Sequence, residues 1–238
     1  MVETETGQLR TLSGRLKQIF RRPSPVDQEC LTHQEITDIQ PHLERLLEFI
    51  IASGKFYDMI IGDDTSGRIP TLVIGKVLNN LNAENGNEPI PVRFVGRNWK
   101  SQDSIGLELN NILRHCDKKL RRVLVVTEYM ASGSTVKNLS DYLEQRRLDF
   151  DVASLAVQSS EKEYRSRCTF PEGTQLYVGS SGEGSPSIHD TVSLTGLVRG
   201  VPLQLRVTRF YADRSNVSAA RKDVSVLATR LSEQLKHR

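Results

Sequence analysis

Cysteine is scarce and scattered. The 238-residue chain holds three, Cys30, Cys116 and Cys168, far apart and with no CxxC pair or His/Cys ligand spacing, so neither a disulfide framework nor a zinc site is indicated. That usage fits a reduced, cytoplasmic compartment. Long apolar runs are missing as well: none approaches the roughly 18 residues of a membrane span, and the first 25 residues lack the apolar core of a secretory signal. Aromatic residues make up 6% with a single tryptophan, and the formal charge is only +3. A pI near 8.8 is too mild to argue for nucleic acid, and no helix-turn-helix pattern or aromatic-interleaved basic patch is visible. The charge suits a protein that handles phosphorylated anions. A GxxxxGKS/T loop is absent, as is a GxGxxG turn after a strand, so neither a P-loop nucleotidase nor a dinucleotide enzyme is indicated.

What is present is ordinary globular material, 37% hydrophobic and 26% charged, enough for one α/β domain with an appendage. The chain is organised around residues 121–143, RRVLVVTEYMASGSTVKNLSDYL. Val123 to Val126 form a short apolar, mostly β-branched run bounded by charge, the pattern of a central parallel strand. Thr127 and Glu128 are then expected beyond its carboxyl end, where ligands sit in open α/β sheets. Ala131, Ser132, Gly133, Ser134 and Thr135 make a small, hydroxyl-rich turn that opens into a helix with Val136, Leu139 and Leu143 on one face. Such a turn suits a phosphate, through backbone N–H groups, hydroxyls and the positive end of the helix.

A second strand-turn-helix precedes it. Residues 57–62, YDMIIG, read as a buried strand, followed by Asp63-Asp64-Thr65-Ser66-Gly67-Arg68 and a helical run from Pro70 to Leu81. Upstream, residues 1–30 form a basic arm whose Leu9, Leu12, Leu16, Ile19 and Phe20 recur at helical spacing. Thr32 to Glu35 fit a capping box, and Pro41 begins a helix with an apolar face of Leu43, Leu46, Leu47, Ile50 and Ile51, stopped at Gly54. His33 and His42 are expected on solvated faces. Val92, Phe94 and Val95 mark another strand, and a long polar connection with Arg97, Trp99 and Lys100 follows; Ile105, Leu107, Leu109, Ile112 and Leu113 suggest a few amphipathic turns within it. Residues 150–157 give a further strand. Residues 159–215 are rich in Gly, Ser, Pro and Thr, with short extended candidates at 175–178, 191–197 and 203–208, and a closing helix runs from about 216 to 236.

The two turns together resemble the type I phosphoribosyltransferases. In that family a strand, two adjacent acids, variable positions and a Thr-Gly-x-Thr turn bind phosphoribosyl pyrophosphate (PRPP). Here Glu128 matches the second acid and Ser132 to Thr135 the turn, while Thr127 stands where the first acid is expected. The resemblance covers about residues 57–158. It implies a doubly wound, mainly parallel α/β sheet within a domain of residues 31–238, a C-terminal hood-like subregion at about 159–215, and dimers. It further implies that Thr127 and Ala131 to Thr135 hold PRPP and its 5′-phosphate, and that Glu128 serves the ribose and the developing sugar cation. Thr65, Ser66, Gly67 and Arg68 would hold pyrophosphate. Arg97 or Lys100 would close from a lid, and Mg²⁺ would ride on the substrate's own oxygens rather than in a protein cage. The activity implied is phosphoribosyl transfer to a nucleobase or related acceptor. The loss of charge at Thr127 keeps a non-catalytic sensor of PRPP or nucleotide as the alternative, with Asp63 and Asp64 as substitutes for the missing acid. An unrelated phosphate-binding α/β protein is the third reading.

Overall fold

The computed structural model describes residues 30–63, 67–95, 102–116, 120–160, 162–164, 170–182 and 214–236. The chain divides into a unit of Met1–Cys30 and a unit of Leu31–Arg238, and the basic arm lies outside the described residues. The second unit opens with helices α1 (Gln34–Asp38) and α2 (Gln40–Ala52). Strand β1 (Met59–Asp63), helix α3 (Arg68–Glu84), strand β2 (Val92–Val95) and helix α4 (Gln102–Arg114) follow. Then come strand β3 (Arg122–Met130), helix α5 (Ser134–Gln145), strand β4 (Asp149–Val157), strand β5 (Leu176–Ser181) and helix α6 (Arg214–Leu235).

The five strands form one sheet in the order β2-β1-β3-β4-β5, and every neighbouring pair is parallel. Parallel strands must be covered on both faces, and the pattern of apolar residues accomplishes this. On one face Ile60, Leu124, Val126, Ala153 and Leu155 pack against α2, α3 and α6; on the other Met59, Ile61, Val123, Val125 and Val152 pack against α4 and α5. The chain leaves β1 towards β2 with α3 on the first face. It then returns past β1 to β3 and on to β4, with α4 and α5 on the second face. Changing face as the direction reverses keeps these crossovers the same hand. It also makes the gap between β1 and β3 the switch point, where the connections from two adjacent strands diverge.

Several expectations are corrected here. The capping box does not form: His33 is the N-cap of α1 and no side chain caps it. The Asp223 carboxylate on α6 instead holds the residues leading into α1, accepting the backbone N–H of Thr32 at 2.9 Å and of His33 at 2.8 Å, with His33 Nδ1 also at 2.8 Å. His33 is therefore buried rather than solvated. Burial by itself would raise the Asp223 pKa, but the bonds from His33 and Thr32 outweigh it and hold the carboxyl below its usual range. On α2, Leu43, Leu46, Leu47 and Ile50 are buried, whereas Ile51 is 39% exposed. The stop at Gly54 stands, with φ +64°, a left-handed conformation that glycine adopts without strain. The amphipathic turns expected over Ile105 to Leu113 are present as helix α4, whereas most of the stretch 175–178 assigned to the hood belongs to the sheet in β5, paired to β4 from Val152 opposite Leu176. The other extended candidates, 191–197 and 203–208, lie outside the described residues.

At the amino-terminal edge of the sheet, buried Asp151 is fully engaged. Lys55 Nζ lies 2.8 Å from its Oδ1, Tyr57 OH donates to Oδ2 at 2.9 Å, and the Gln175 N–H donates to Oδ1 at 2.7 Å. Tyr57 OH also meets Tyr177 OH at 3.2 Å. Burial pushes the Tyr57 pKa up, and the bond to Tyr177 and the Asp151 charge push it further, so this phenol stays a neutral donor.

Candidate functional site

The site is built where the chain leaves β1 and β3. Strand β1 runs into a turn ending at Gly67, the N-cap of α3. Gly67 is pressed against the neighbouring strand: a Cβ placed on it would lie 2.7 Å from the carbonyl oxygen of Val126 and 3.1 Å from both the nitrogen and the oxygen of Asp63. Only a residue without a side chain fits so close an approach of backbone to backbone. Thr71, fully buried one turn into α3, donates its hydroxyl to the Gly67 carbonyl at 2.5 Å and covers Gly62, where a Cβ would collide with the Thr71 side chain. Arg68, in the first turn of α3, stacks over the Phe94 ring of β2 with its guanidinium carbon 4.7 Å from the centroid.

Strand β3 is longer than its apolar run. It stays paired with β4 through Thr127 opposite Ser154 and Met130 opposite Val157, so Thr127 and Glu128 lie inside the strand and not beyond its end. Thr127 is 2% exposed and Glu128 0%. Extending the β1/β3 register by one residue past the pair Gly62 and Val126 sets Asp63, itself buried, level with Thr127. The strand then gives way to a turn with exposed Ala131, Ser132 and Ser134 around buried Gly133. Gly133 is the N-cap of α5, with φ +72° and ψ +4°, a left-handed geometry that costs a residue bearing Cβ about 1–2 kcal/mol. Its carbonyl accepts the first intrahelical bond, from Lys137 N at 2.8 Å. The Ser132 and Ser134 hydroxyls stand 3.1 Å apart beside the N–H groups of the helix start, a set of donors suited to an anion. Thr135 lies in the first turn of α5.

The structure therefore brings Gly67 and Arg68 to the same edge of the sheet as Ala131 to Thr135, on adjacent strands. Thr65, Ser66, Arg97 and Lys100 lie outside the described residues. Sequence reasoning missed Thr71 and the Phe94 platform. Gly62 was the available signal, since a glycine inside a strand pattern marks a close approach. Among the described residues no three His, Cys, Asp or Glu side chains converge as a metal site, and no helix is long and apolar enough to cross a membrane. A groove of about 420 Å³ opens at the opposite, amino-terminal edge, lined in part by Arg122, Arg147, Asp149 and Glu172.

No protein-family model matches the chain, and no curated protein matches it. Solved structures do resemble it. One is a hypothetical protein from Neisseria gonorrhoeae with bound ppGpp, 22% identical, covering 61% of this chain and 79% of that one with a TM-score of 0.43. Another is a hypoxanthine-guanine phosphoribosyltransferase from Schistosoma mansoni in complex with IMP, at 18% identity, 70% and 76% coverage and a TM-score of 0.38. A third is a hypoxanthine-guanine-xanthine phosphoribosyltransferase, at 16% identity, 61% and 74% coverage and a TM-score of 0.36. None of these TM-scores reaches 0.5, so none of these likenesses carries weight for fold or function, which rest on this chain's own residues.

Proposed function

We propose that this chain binds PRPP, or a nucleotide through its 5′-phosphate, in the crevice between β1 and β3, and transfers the phosphoribosyl group to a nucleobase or related acceptor. One observation supports the reading: Gly67 is seated against the Val126 carbonyl, so the turn after β1 packs on β3 beside the switch point, where α/β sheets take their ligands. The 5′-phosphate belongs on the turn Ala131 to Thr135, and the pyrophosphate against Thr65, Ser66, Gly67 and Arg68. Any Mg²⁺ enters on the substrate's oxygens, where it neutralises the leaving group.

In the transfer, the bond between the anomeric carbon and the pyrophosphate oxygen breaks and a carbon–nitrogen bond to the acceptor forms, with loss of the acceptor's N–H proton. The sugar becomes cationic as the bond lengthens. Glu128, buried within β3 near its carboxyl end, is the residue this reading assigns to the ribose and the developing sugar cation. Calorimetry with Mg·PRPP, followed by a pyrophosphate-release assay across a panel of bases, tests the proposal. Binding with release is the expected result; absence of PRPP and nucleotide binding would sink it.

The buried, uncharged Thr127 favours a second reading, a domain that senses PRPP or nucleotide without turnover. A hydroxyl bond in place of a charge-assisted one gives up on the order of 1 kcal/mol or more. Tight binding with no pyrophosphate release, raised towards turnover by Thr127→Asp, would identify the sensor.

A further inference from the structure

The groove at the amino-terminal edge of the sheet, about 420 Å³, has the size of a small-molecule site. Helix α5 ends against it with two bonds that reach back across its last turn: Arg147 N–H donates to the Glu144 carbonyl at 2.8 Å, and Leu148 N–H to the Leu143 carbonyl at 3.1 Å. Such a closure needs a left-handed residue just past the helix. Here that residue is Arg147, with φ +56°, the one residue other than glycine with positive φ among the described residues. Glycine would adopt this conformation without strain, and asparagine tolerates it. The chain keeps an arginine there, lining the groove.

The charges around the groove do not cancel. Arg122 and Asp149 pair with each other at 3.3 Å. The side chains of Arg147, Glu144 and Glu172 are exposed and have no ion-pair partner among the described residues. One unmatched cation therefore stands with two unmatched carboxylates beside the apolar surface of Leu148 and Pro171. A simple anion entering the groove would meet the carboxylates, and a simple cation would meet the arginine. A ligand that carries both signs meets an opposite charge at each end.

We infer that this groove binds a small zwitterion of the amino-acid class with an apolar side chain: its carboxylate on Arg147, its ammonium on Glu144 and Glu172, and its apolar part against Leu148 and Pro171. The planar fork of a guanidinium matches a carboxylate through two parallel bonds. Backbone strain of the kind held at Arg147 gathers at sites that grip ligands, and it is accounted for by the point at which the cation is needed. The site is separate from the crevice between β1 and β3.

Titration calorimetry on the full chain, with phenylalanine, leucine and leucylleucine as probes, tests the inference. At least one should bind with a dissociation constant below about 1 mM. For that probe, acetylating the amine or converting the carboxylate to an amide should each weaken binding about tenfold or more, the scale of a lost bond between charged groups. Arg147→Gly and Arg147→Asn should weaken it to a similar degree while keeping or raising the urea midpoint, since both delete the cation and relieve the left-handed strain. The double variant Glu144→Gln/Glu172→Gln should also lose about tenfold, with Mg·PRPP affinity unchanged in all three. No binding of any probe, parental binding by the Arg147 variants, or equal binding of capped and uncapped forms overturns the inference and leaves the proposed function standing.

Discussion

Replacing Gly67 by alanine sets two known effects against each other. With φ at −77°, Gly67 has a backbone conformation open to any residue, and alanine would by itself stabilise the fold by roughly 0.4–1 kcal/mol by reducing the freedom of the unfolded chain. Against that stands the new methyl, 2.7 Å from the Val126 oxygen and 3.1 Å from two Asp63 backbone atoms. Neither neighbour can swing aside as a side chain would. Val126 is paired on both sides, to Gly62 and to Ala153, so the turn and the start of α3 must lift instead. Overpacking of this kind costs about 1–3 kcal/mol, and the clash wins. Taking both effects at their low or both at their high ends leaves a net loss of about 0.6–2 kcal/mol; at about 2–4 °C per kcal/mol for a domain of this size, Gly67→Ala should melt roughly 1–8 °C lower, and Mg·PRPP affinity should fall with it as the grip retreats. Scanning calorimetry and titration calorimetry on the same preparations check this. A variant that melts at or above the parent and binds PRPP equally well would refute the claim that backbone contact at Gly67 sets the crevice.

Gly133→Ala should cost about 1–2 kcal/mol for its left-handed conformation, seen as a lower urea midpoint with unchanged slope, and Gly133→Asn should cost less. Because the folded-state pKa of Asp223 is lowered, its contribution to stability is complete above the ordinary carboxylate range and is lost as pH falls through it towards the folded value. The stability gap between the parent and Asp223→Asn should therefore be widest near neutrality and narrow as pH falls below the ordinary Asp value of about 3.9, measured as urea midpoints across pH. Lys55→Met leaves the Asp151 carboxylate, 1% exposed, without its cation. A loss of about 3–5 kcal/mol is expected, partly recovered in the double variant Lys55→Met/Asp151→Asn; an unchanged urea midpoint in the single variant would show that the pair contributes nothing.

Elements whose cause is local were legible in the sequence. The β-branched run Val123 to Val126 and the apolar stripe of α2 produce their strand and helix from spacing alone, and Pro41 and Gly54 bound that helix as their backbone preferences require. What was not legible depends on partners distant in the chain. Strand β3 continues through Thr127 and Glu128 because β4 lies alongside as far as Val157, and nothing in the residues Thr127 to Met130 announces that support. The lead into α1 is held by Asp223, 190 residues from His33, so local capping chemistry at Thr32 pointed to the wrong acceptor. Likewise 175–178 was correctly extended, but its place as an edge strand rather than part of the hood is set by register with β4. At the candidate site, the turn Ala131 to Thr135 and Gly67 could be read from small-residue patterning, whereas Thr71 and Phe94 act only through neighbours brought together by the fold.

The Lys55, Asp151, Tyr57 and Tyr177 network ties down the rim of the sheet farthest from the crevice. Strength is thereby invested where β4 and β5 begin and the chain enters β1, while the other end of the sheet carries the loops, and disturbance at one rim need not reach the other. A scaffold so arranged tolerates remodelling of its upper loops, by selection or by design, as long as the lower fastening is left intact.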